Sequence, residues 1–314
     1  MMPNSKATNI IKRLTVAICT YNRAYMLKAC LNSLQAQSVQ PDAYNLLIVD
    51  NNSTDSTQIT AETFTDVFPS LRIVREPQQG LSHARNRAVA ECTTEWIAFL
   101  DDDAKARPHW VETLLDVAAR NDFDAFGGPF YAWHHYGVPP RWLPPEFGTF
   151  EAKQGYGLLS GSTYIPGGNC AIRLAALHKA ECFSASMGMR GNVCAYGEET
   201  QVFNRMEKLG YKLGYVPALQ IDHCVLPHKY TLRWQLTSAI ARGRAGAALG
   251  AGEPLRRFPL LLLRDMKHAL KALYTNVRTH GGKPPLARVA FTHARHLCWR
   301  LGVAWEKLRQ KCGR

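Results

Sequence analysis

The sequence lacks several features that would place it in a specialised class of proteins. Its nine cysteines include no CxxC pair, and their scattered positions argue for reduced thiols in the cytoplasm rather than a disulfide framework. No apolar run is long enough to cross a bilayer, and no apolar segment of signal-peptide length precedes the first predicted strand. Internal repeats and low-complexity segments are also absent from the sequence. With 314 residues, 46% of them hydrophobic, the chain can bury one large core, with or without an appendage.

Acidic residues are scarce in one part of the chain only. Residues 255–314 hold 14 lysines and arginines against two acids, Asp265 and Glu306, which is a net charge of +12. The first 254 residues hold 24 cations against 23 acids and are almost neutral. The excess of positive charge therefore needs a local explanation.

The first half of the chain alternates short apolar runs with segments of helical period. Apolar runs predict strands at 14–18, 45–49, 71–74 and 96–100, and periodic segments predict helices at 23–37, 81–92 and 108–120. This alternation predicts an α/β fold with a mostly parallel central sheet flanked by helices. Ligands of such sheets bind beyond the carboxyl ends of the strands, so the polar residues that follow each strand are candidates for binding.

The second half of the chain is less regular. We expect a strand over 124–133 that Gly128 and Pro129 interrupt, and then a functional flap over 134–165 that is rich in proline, glycine and aromatic residues. A helix is predicted over 197–210, followed by short strands that end at His223.

Three adjacent aspartates, Asp101, Asp102 and Asp103, follow the predicted strand at 96–100, with no cation before Lys105. Adjacent carboxylates repel one another, and their burial without a partner is costly. Carboxylate oxygens suit Mg²⁺ or Mn²⁺, and Mg²⁺ is usually held by one or two carboxylates together with phosphates. The cluster therefore predicts a metal that holds a phosphate. The alternative is a solvated acidic loop that caps the following helix.

Three further segments accompany this cluster in a fixed order: CTYNR at 19–23, IVDNNSTDST at 48–57 and GLSHARNRA at 80–88. The ordered set resembles glycosyltransferase family 2, which has the GT-A (Rossmann-like) fold, and the likeness runs from about Leu14 to about His223. The resemblance implies an inverting enzyme that uses Mn²⁺ or Mg²⁺. Such an enzyme moves a sugar from a nucleoside-diphosphate donor to a hydroxyl acceptor.

The resemblance also implies roles for individual residues. Nucleotide binding falls to Thr20, Tyr21, Asn22, Arg23, Asp50, Asn52, Arg85, Asn86, Asp101 and Asp102. Metal ligation falls chiefly to Asp103, in the place of the family's DXD motif, with Asp101 and His223 as further ligands. Other interpretations stay open: Asn22 and Asn52 also suit turns and helix caps, Arg85 suits a surface helix, and a lone histidine is often structural.

Two glutamates are candidates for the general base. GEET at 197–200 matches the family's (E/D)D motif, whose second acid is usually aspartate and here is Glu199. The base removes a proton from the acceptor hydroxyl, and a helix N-terminus would keep its carboxylate ionised. Glu199 is favoured over Glu198, and two acids merely suited to a first helical turn are the alternative. Contacts to the donor sugar and the acceptor are expected from Gly167, Gly168, Asn169, Trp133 and His134.

The predicted organisation is a GT-A catalytic domain over 1–254 and a basic amphipathic helical tail over 255–314. Within the domain, about 14–130 would bind the nucleotide and about 131–254 the acceptor, which is a glycan or a lipid-linked hydroxyl. The tail holds two amphipathic helices separated at 281–285, and it is expected to meet an anionic membrane surface. The protein would then be cytoplasmic and peripheral at the inner face of the membrane, in bacterial surface polysaccharide or glycolipid synthesis. Helices packed on the catalytic domain are the alternative.

Three other functions were weighed against this one. The basic tail fits nucleic acid in charge, but no nucleic-acid motif accompanies it and no nucleic-acid partner is expected. A sugar-1-phosphate nucleotidyltransferase would carry a glycine-rich loop after the first strand, and CTYNRAYML contains no glycine. A non-catalytic carbohydrate-binding protein would not need both the aspartate cluster and Glu199.

Overall fold

The computed structural model describes residues 13–191, 193–280 and 284–312. The strands are β1 (Leu14–Thr20), β2 (Asn45–Asp50), β3 (Leu71–Arg75), β4 (Trp96–Leu100), β5 (Ala104–Ala106), β6 (Ala125–Gly127), β7 (Phe130–Trp133), β8 (Gly157–Leu158), β9 (Asn169–Arg173), β10 (Leu213–Tyr215) and β11 (Ile221–Cys224). The α-helices are α1 (Ala24–Gln35), α2 (Thr57–Glu62), α3 (Leu81–Glu91), α4 (Trp110–Arg120), α5 (Leu174–Lys179), α6 (Glu198–Lys208), α7 (Leu232–Ala248), α8 (Phe258–His280) and α9 (Leu286–Cys312). Short 3-10 helices cover Pro227–Tyr230 and Leu255–Arg257.

An eight-stranded sheet forms the centre of the molecule, in the order β3-β2-β1-β4-β9-β6-β10-β8. Its first four strands are parallel, and β6 is parallel to β10. β9 lies antiparallel between β4 and β6, and β8 is an antiparallel edge strand. The predicted mostly parallel α/β sheet is therefore confirmed, with β8 and β9 as its exceptions. Thr20 pairs with Asp50 and Leu100 with Asn169, so the polar segments that follow β1, β2 and β4 meet at one edge.

Helices cover both faces of this sheet because the strands are apolar on both sides. Val16 and Ile18 belong to one buried cluster and Ala17, between them in β1, belongs to the other, as the period of a strand requires. The predicted apolar face of α1 is buried on the sheet, and Trp96 is fully buried. All nine cysteines are free thiols.

A second, three-stranded sheet in the order β5-β11-β7 was not predicted. β5 begins directly after the aspartate cluster, and its Ala104 pairs antiparallel with His223 of β11. This pairing brings a late histidine beside an early carboxylate. It also uses the residues before α4, so this helix begins at Trp110 rather than at Pro108 as predicted. The predicted interruption at Gly128 and Pro129 is confirmed, since β6 and β7 lie in different sheets.

Helix α7 was not predicted either, and it connects the tail to the rest of the molecule. A Cβ built on Gly243 of α7 would lie 2.0 Å from the Trp299 carbonyl oxygen, and one built on Gly302 of α9 would lie 2.1 Å from the Ile240 carbonyl oxygen. Each glycine thus lets the other helix's backbone approach closely. The two predicted tail helices are present, and α9 packs on α7. None of the helices in the described residues has both the length and the apolarity that crossing a bilayer requires.

Replacing Gly243 with alanine is expected to separate α7 from α9, because the new methyl group meets backbone that cannot rotate away. Overpacking of this kind costs about 1–3 kcal/mol in the free energy of unfolding. Thermal unfolding would measure the loss. Gly246→Ala on the same helix is the matched control, since its nearest neighbours are 3.5 and 3.9 Å away. Equal melting temperatures for the two variants would contradict the close crossing.

Candidate functional site

Two aspartates and a histidine converge where β4 ends. Ligand atoms of Asp101, Asp103 and His223 all lie within 4.8 Å of one another. His223 Nε2 is 3.3 Å from Asp103 Oδ1, while Arg23 Nη1 and Lys229 Nζ are 3.4 and 3.9 Å from Asp103 Oδ2. Asp103 is buried. Its contacts bring together β11 and the segments that follow β1, β4 and β11.

The charges in this cluster are unequally compensated. Burial acts to raise the pKa of Asp103, but His223, Lys229 and Arg23 outweigh it and lower the pKa well below its usual range. Asp102 lacks such a set of partners, and burial raises its pKa to about 7 although Arg23 opposes the shift. A further positive charge would relieve this imbalance.

The donor atoms present fit a divalent metal. Two carboxylates and one imidazole are ligands that Mn²⁺ accepts, and the carboxylates also suit Mg²⁺. In the part of the chain that the structure describes, His223 Nδ1 is buried and has no hydrogen-bond partner. Lys229 was missed by the sequence analysis, because it lies in a 3-10 helix beyond every recognised motif.

Arg85 connects the aspartate cluster to the two glutamates. Its side chain is buried, and it is 2.9 Å from Glu198 Oε1 and 3.8 Å from Asp101 Oδ1. The interpretation of Arg85 as a surface helix charge is therefore wrong. Its guanidinium also lies over the rings of Phe99 and Phe183, at 5.6 and 5.4 Å from their centroids.

The two glutamates at the start of α6 differ in their surroundings. Glu198 is buried against Arg85, and burial together with the neighbouring Glu199 raises its pKa to about 8, although Arg85 opposes the shift. Glu199 is half-buried, and its Cβ is 3.1 Å from a Cβ built on Gly167. One carboxylate is thus held by a guanidinium, and the other lies beside the glycine pair at 167–168.

Gly167 and Gly168 lie between the metal ligands and the glutamates of α6. The Asp101 amide donates to the Gly168 carbonyl at 3.2 Å, and a Cβ on Gly168 would lie 1.9 Å from Asp101 Oδ2. A Cβ on Gly167 would lie 3.0 Å from Arg85 Nη2. Only glycine leaves room here for the Asp101 carboxylate.

Replacing Gly168 with alanine is expected to displace the Asp101 carboxylate and to weaken metal-dependent nucleotide binding by at least about tenfold, the size of effect seen when groups that orient metal ligands are removed. Titration of nucleotide with and without Mn²⁺ would measure this loss. Gly155→Ala is the matched control, because nothing lies within 4 Å of its Cβ position. Equal affinity in both variants would show that Asp101 tolerates the methyl group.

The loops after β1 and β2 are joined by side chains that the sequence analysis assigned to the nucleotide. Asn22 Oδ1 accepts from the Thr54 amide at 2.7 Å, and the Asn22 backbone amide donates to Ser53 Oγ at 2.9 Å; Asp50 Oδ1 accepts from the Ser53 amide at 2.9 Å within the loop after β2. Asn22 and Asn52 have φ values of 51° and 65°, which confirms their turn roles. Thr20 is buried and Tyr21 half-buried between these loops and the aspartate cluster.

Four of the predicted side chains are engaged within the protein. The Asn86 amide bonds the backbone of Phe183 through both its nitrogen and its oxygen. Asn169 is fully buried; it donates to the Pro129 and Leu219 carbonyls and accepts from Trp110. Lys105 lies 3.3 Å from the centroid of the Trp133 ring, and His134 Nδ1 is 2.8 Å from the Tyr230 hydroxyl.

The side chains of Asn86 and Asn169 therefore help to stabilise the fold. Asn51, which the sequence analysis did not single out, has a similar role. It donates to the Glu76 and Gln78 carbonyls and accepts from the Gly80 amide, so it fixes the loop before α3.

A cavity of about 790 Å³ extends from His223 and Lys229 to the tail. Its lining comes from five parts of the chain: Phe130; the flap residues Pro144, Glu146, Phe147, Gly148, Thr149 and Tyr164; His223, Val225 and Lys229; Trp234, Gln235, Ser238, Ala239 and Arg242 of α7; and Thr292, Arg295, His296 and Trp299 of α9. Trp142 of the flap contacts Phe291 of α9, with ring centroids 4.7 Å apart. The flap and the tail thus form a common wall.

Comparison with known proteins places this geometry among sugar transferases. A family model described as glycosyl transferase family 2 matches residues 15–180, which is more than half of the chain. The chain is 27% identical over 280 residues to the succinoglycan biosynthesis protein ExoM of Rhizobium meliloti (strain 1021), and the match covers 85% of this chain and 80% of that protein.

Two kinds of solved structure share the fold. Mannosyltransferase PcManGT from Pyrobaculum calidifontis, in complex with GDP-Man and Mn²⁺, has a TM-score of 0.62 at 18% identity over 95% of this chain and 88% of that one. S. aureus TarS 1-349 in complex with UDP-GlcNAc has a TM-score of 0.56 at 14% identity over 95% of this chain and 92% of that one. At such identities the likeness concerns the fold alone.

Proposed function

The chain belongs to glycosyltransferase family 2 and has the GT-A fold, and on this premise we propose that it moves a sugar from a nucleoside-diphosphate sugar to a hydroxyl acceptor with inversion, using Mn²⁺ or Mg²⁺. The observation that carries the proposal is that two clusters of acidic residues lie together at one edge of the sheet. The metal-type cluster of Asp101, Asp103 and His223 lies on one side of Arg85, and the glutamates of α6 lie on the other.

The donor nucleotide is assigned to the loops after β1 and β2. Tyr21 offers a stacking face, Asp50 accepts a ring N–H, and Arg23 contacts the phosphates. When bound, the metal at Asp103 neutralises charge on the departing nucleoside diphosphate. Lys229, at 3.9 Å from Asp103, adds a second positive charge for the same phosphates. The donor sugar lies against the backbone of Gly167 and Gly168.

Glu199 is the proposed general base. The acceptor hydroxyl attacks the anomeric carbon while its proton moves to the Glu199 carboxylate, and the bond from that carbon to the phosphate oxygen breaks. A single displacement of this kind inverts the anomeric centre. Glu198 is the weaker candidate because Arg85 holds it, at 2.9 Å, in the protein interior.

The nucleotide and the metal are identified by a panel of thermal-unfolding measurements. UDP, GDP, dTDP and CDP are each added with Mn²⁺, with Mg²⁺ and with EDTA. A ligand at 100 times its Kd stabilises the folded chain by about 2.7 kcal/mol. We expect stabilisation by one nucleotide, only with metal. No stabilisation by any nucleotide would contradict the assigned donor site.

The setting that we propose is bacterial surface polysaccharide or glycolipid synthesis at the inner face of the cytoplasmic membrane, with α8 in contact with the lipid. A stripe of apolar side chains on α8 is between 52% and 68% exposed; it consists of Leu260, Leu263, Met266, Leu270, Tyr274 and Val277. Arg264, Lys267 and Arg278 each follow a stripe residue by four positions, so they lie on the same side of the helix. Apolar and basic residues on one side suit an anionic bilayer surface.

Wild-type protein is expected to co-sediment with phosphatidylglycerol vesicles and much less with phosphatidylcholine vesicles. The double substitution Leu263→Glu and Leu270→Glu should weaken this partitioning at least about tenfold, because each buried leucine contributes about 1.5–3 kcal/mol. Ile59→Glu, at a 66% exposed position on α2, is the control. Equal sedimentation of the double variant and the control would rule out α8 as the contact.

A further inference from the structure

The cavity beside the metal-type cluster has a marked excess of positive charge. Its charged lining residues are Lys229, Arg242 and Arg295, with Glu146 as the single carboxylate among the described residues that line it. Lys229 lies at the inner end beside Asp103. Arg242 and Arg295 come from the two helices that form the outer wall, α7 and α9.

Arg242 and Arg295 form no ion pair within the described residues, in contrast to three other arginines of α7 and α9. Arg300 pairs with Asp265, and Arg244 and Arg309 pair with Glu306. No such ion pair forms at Arg242 or Arg295 with any residue that the structure describes. Arg242 instead lies over the Tyr196 ring, 4.9 Å from its centroid. Burial and then the charge of Arg242 lower the pKa of Arg295, while Glu146 acts in the opposite direction.

Like charges on two packed helices repel, and an anion between them would remove that repulsion. A guanidinium can bind a phosphate or a carboxylate through two parallel hydrogen bonds, which suits a fixed site on a helix. The same cavity holds aromatic side chains, among them Phe147, Trp234 and Trp299, which can pack on the non-ionic part of a ligand. Its volume of about 790 Å³ is within the range of sites for small molecules.

One residue of the cavity lining lies near the proposed base. Tyr164, which is 49% exposed, lines the cavity; partial desolvation of its hydroxyl raises its pKa, with Arg242 lowering it and Glu199 raising it. Tyr164 is thus within electrostatic range of both the proposed base and one of the unpaired arginines.

We propose that Arg242 and Arg295 form a subsite for an acidic group, a phosphate or a carboxylate, on the acceptor. The inference rests on the proposed function, because the acceptor is that of the proposed transfer. Because α9 supplies one of the two guanidiniums, the tail would contribute to the selection of the acceptor. Acceptors without an acidic group would be selected against.

The test is a calorimetric titration of the full chain. The chain is first saturated with the metal and the nucleoside diphosphate that raise its melting temperature most. If no nucleotide raises the melting temperature, the chain is titrated alone. The probes are phenyl phosphate, benzoate and the neutral phenyl β-glucoside. Wild-type protein should bind one acidic probe at least tenfold more tightly than the neutral one. Comparing the affinities for phenyl phosphate and benzoate shows which acidic group is preferred. The double variant Arg242→Gln and Arg295→Gln should lose at least tenfold. Arg233→Gln, exposed on α7 outside the cavity, should lose nothing.

Equal affinity of wild type and the double variant for every probe would overturn the subsite, as would equal binding of acidic and neutral probes. Nucleotide binding is measured separately on the same variants. If no nucleotide binds but the acidic probe still depends on the two arginines, the subsite stands and the proposed transfer fails. If nucleotide binds normally and the probe does not depend on them, the transfer stands and the subsite fails.

Discussion

Replacement of Glu199 with glutamine is expected to lower kcat by about 10²–10⁴, the usual contribution of a general base. The amide has nearly the shape of the carboxylate but cannot take the acceptor's proton. Nucleotide affinity should stay unchanged, because Glu199 lies across Gly167 and Gly168 from the metal-type cluster. The measurement is release of nucleoside diphosphate from the donor sugar, with the nucleotide Kd determined alongside.

Glu207→Gln is the matched control for this substitution, since Glu207 is exposed on the same helix. Glu198→Gln separates the two candidates for the base. This variant alters the buried contact between Glu198 and Arg85, so reduced stability is the expected result. If Glu198→Gln stopped transfer at normal stability while Glu199→Gln transferred at the wild-type rate, the assignment of the base would be reversed.

Replacement of Asp103 with alanine is expected to abolish metal-dependent nucleotide binding, a loss of at least about 100-fold, the upper range for disruption of a metal's immediate surroundings. Asp103 is the carboxylate on which His223, Lys229 and Arg23 converge. Titration of nucleotide with Mn²⁺ and with EDTA would measure the loss, and the two affinities should become equal in the variant.

Asp103 is buried, so its loss also removes a shared partner of His223, Lys229 and Arg23 and can reduce stability. Asp103→Asn keeps the size of the side chain and serves as the second variant, with thermal unfolding as the check on folding. Asp116→Ala, at an exposed position on α4, is the control. An unchanged response to Mn²⁺ in Asp103→Asn would show that the metal binds elsewhere.

The parallel half of the sheet could be predicted because its signals are local. Each apolar run that predicted a strand is one of β1 to β4, and the polar residues after β1, β2 and β4 meet at one edge. Because parallel strands have their carboxyl ends at the same edge of the sheet, residues that follow different strands in the sequence lie close together in the structure. The family resemblance lies in these same segments.

The rest of the site depends on partners that are far apart in sequence. The burial of Arg85 could not be predicted, because its buried partner Glu198 lies 113 positions later in the sequence. The β5-β11-β7 sheet consists of strands of three or four residues, too short for a periodic signal. Helix α7 was missed because it packs on α9 through small residues such as Gly243, which leave no apolar stripe in the sequence. The cavity wall formed by α7 and α9 could not be predicted from the sequence for the same reason.

The central claim is a metal-dependent single displacement with Glu199 as base, and the anomeric configuration of the first product tests it most directly. An α-configured nucleoside-diphosphate sugar is incubated with the chain and Mn²⁺, and the sugar passed to an acceptor or to water is followed by proton NMR before it equilibrates. We predict that the β-anomer appears first and that EDTA stops its formation. First appearance of the α-anomer, or an equal rate in EDTA, would contradict the account.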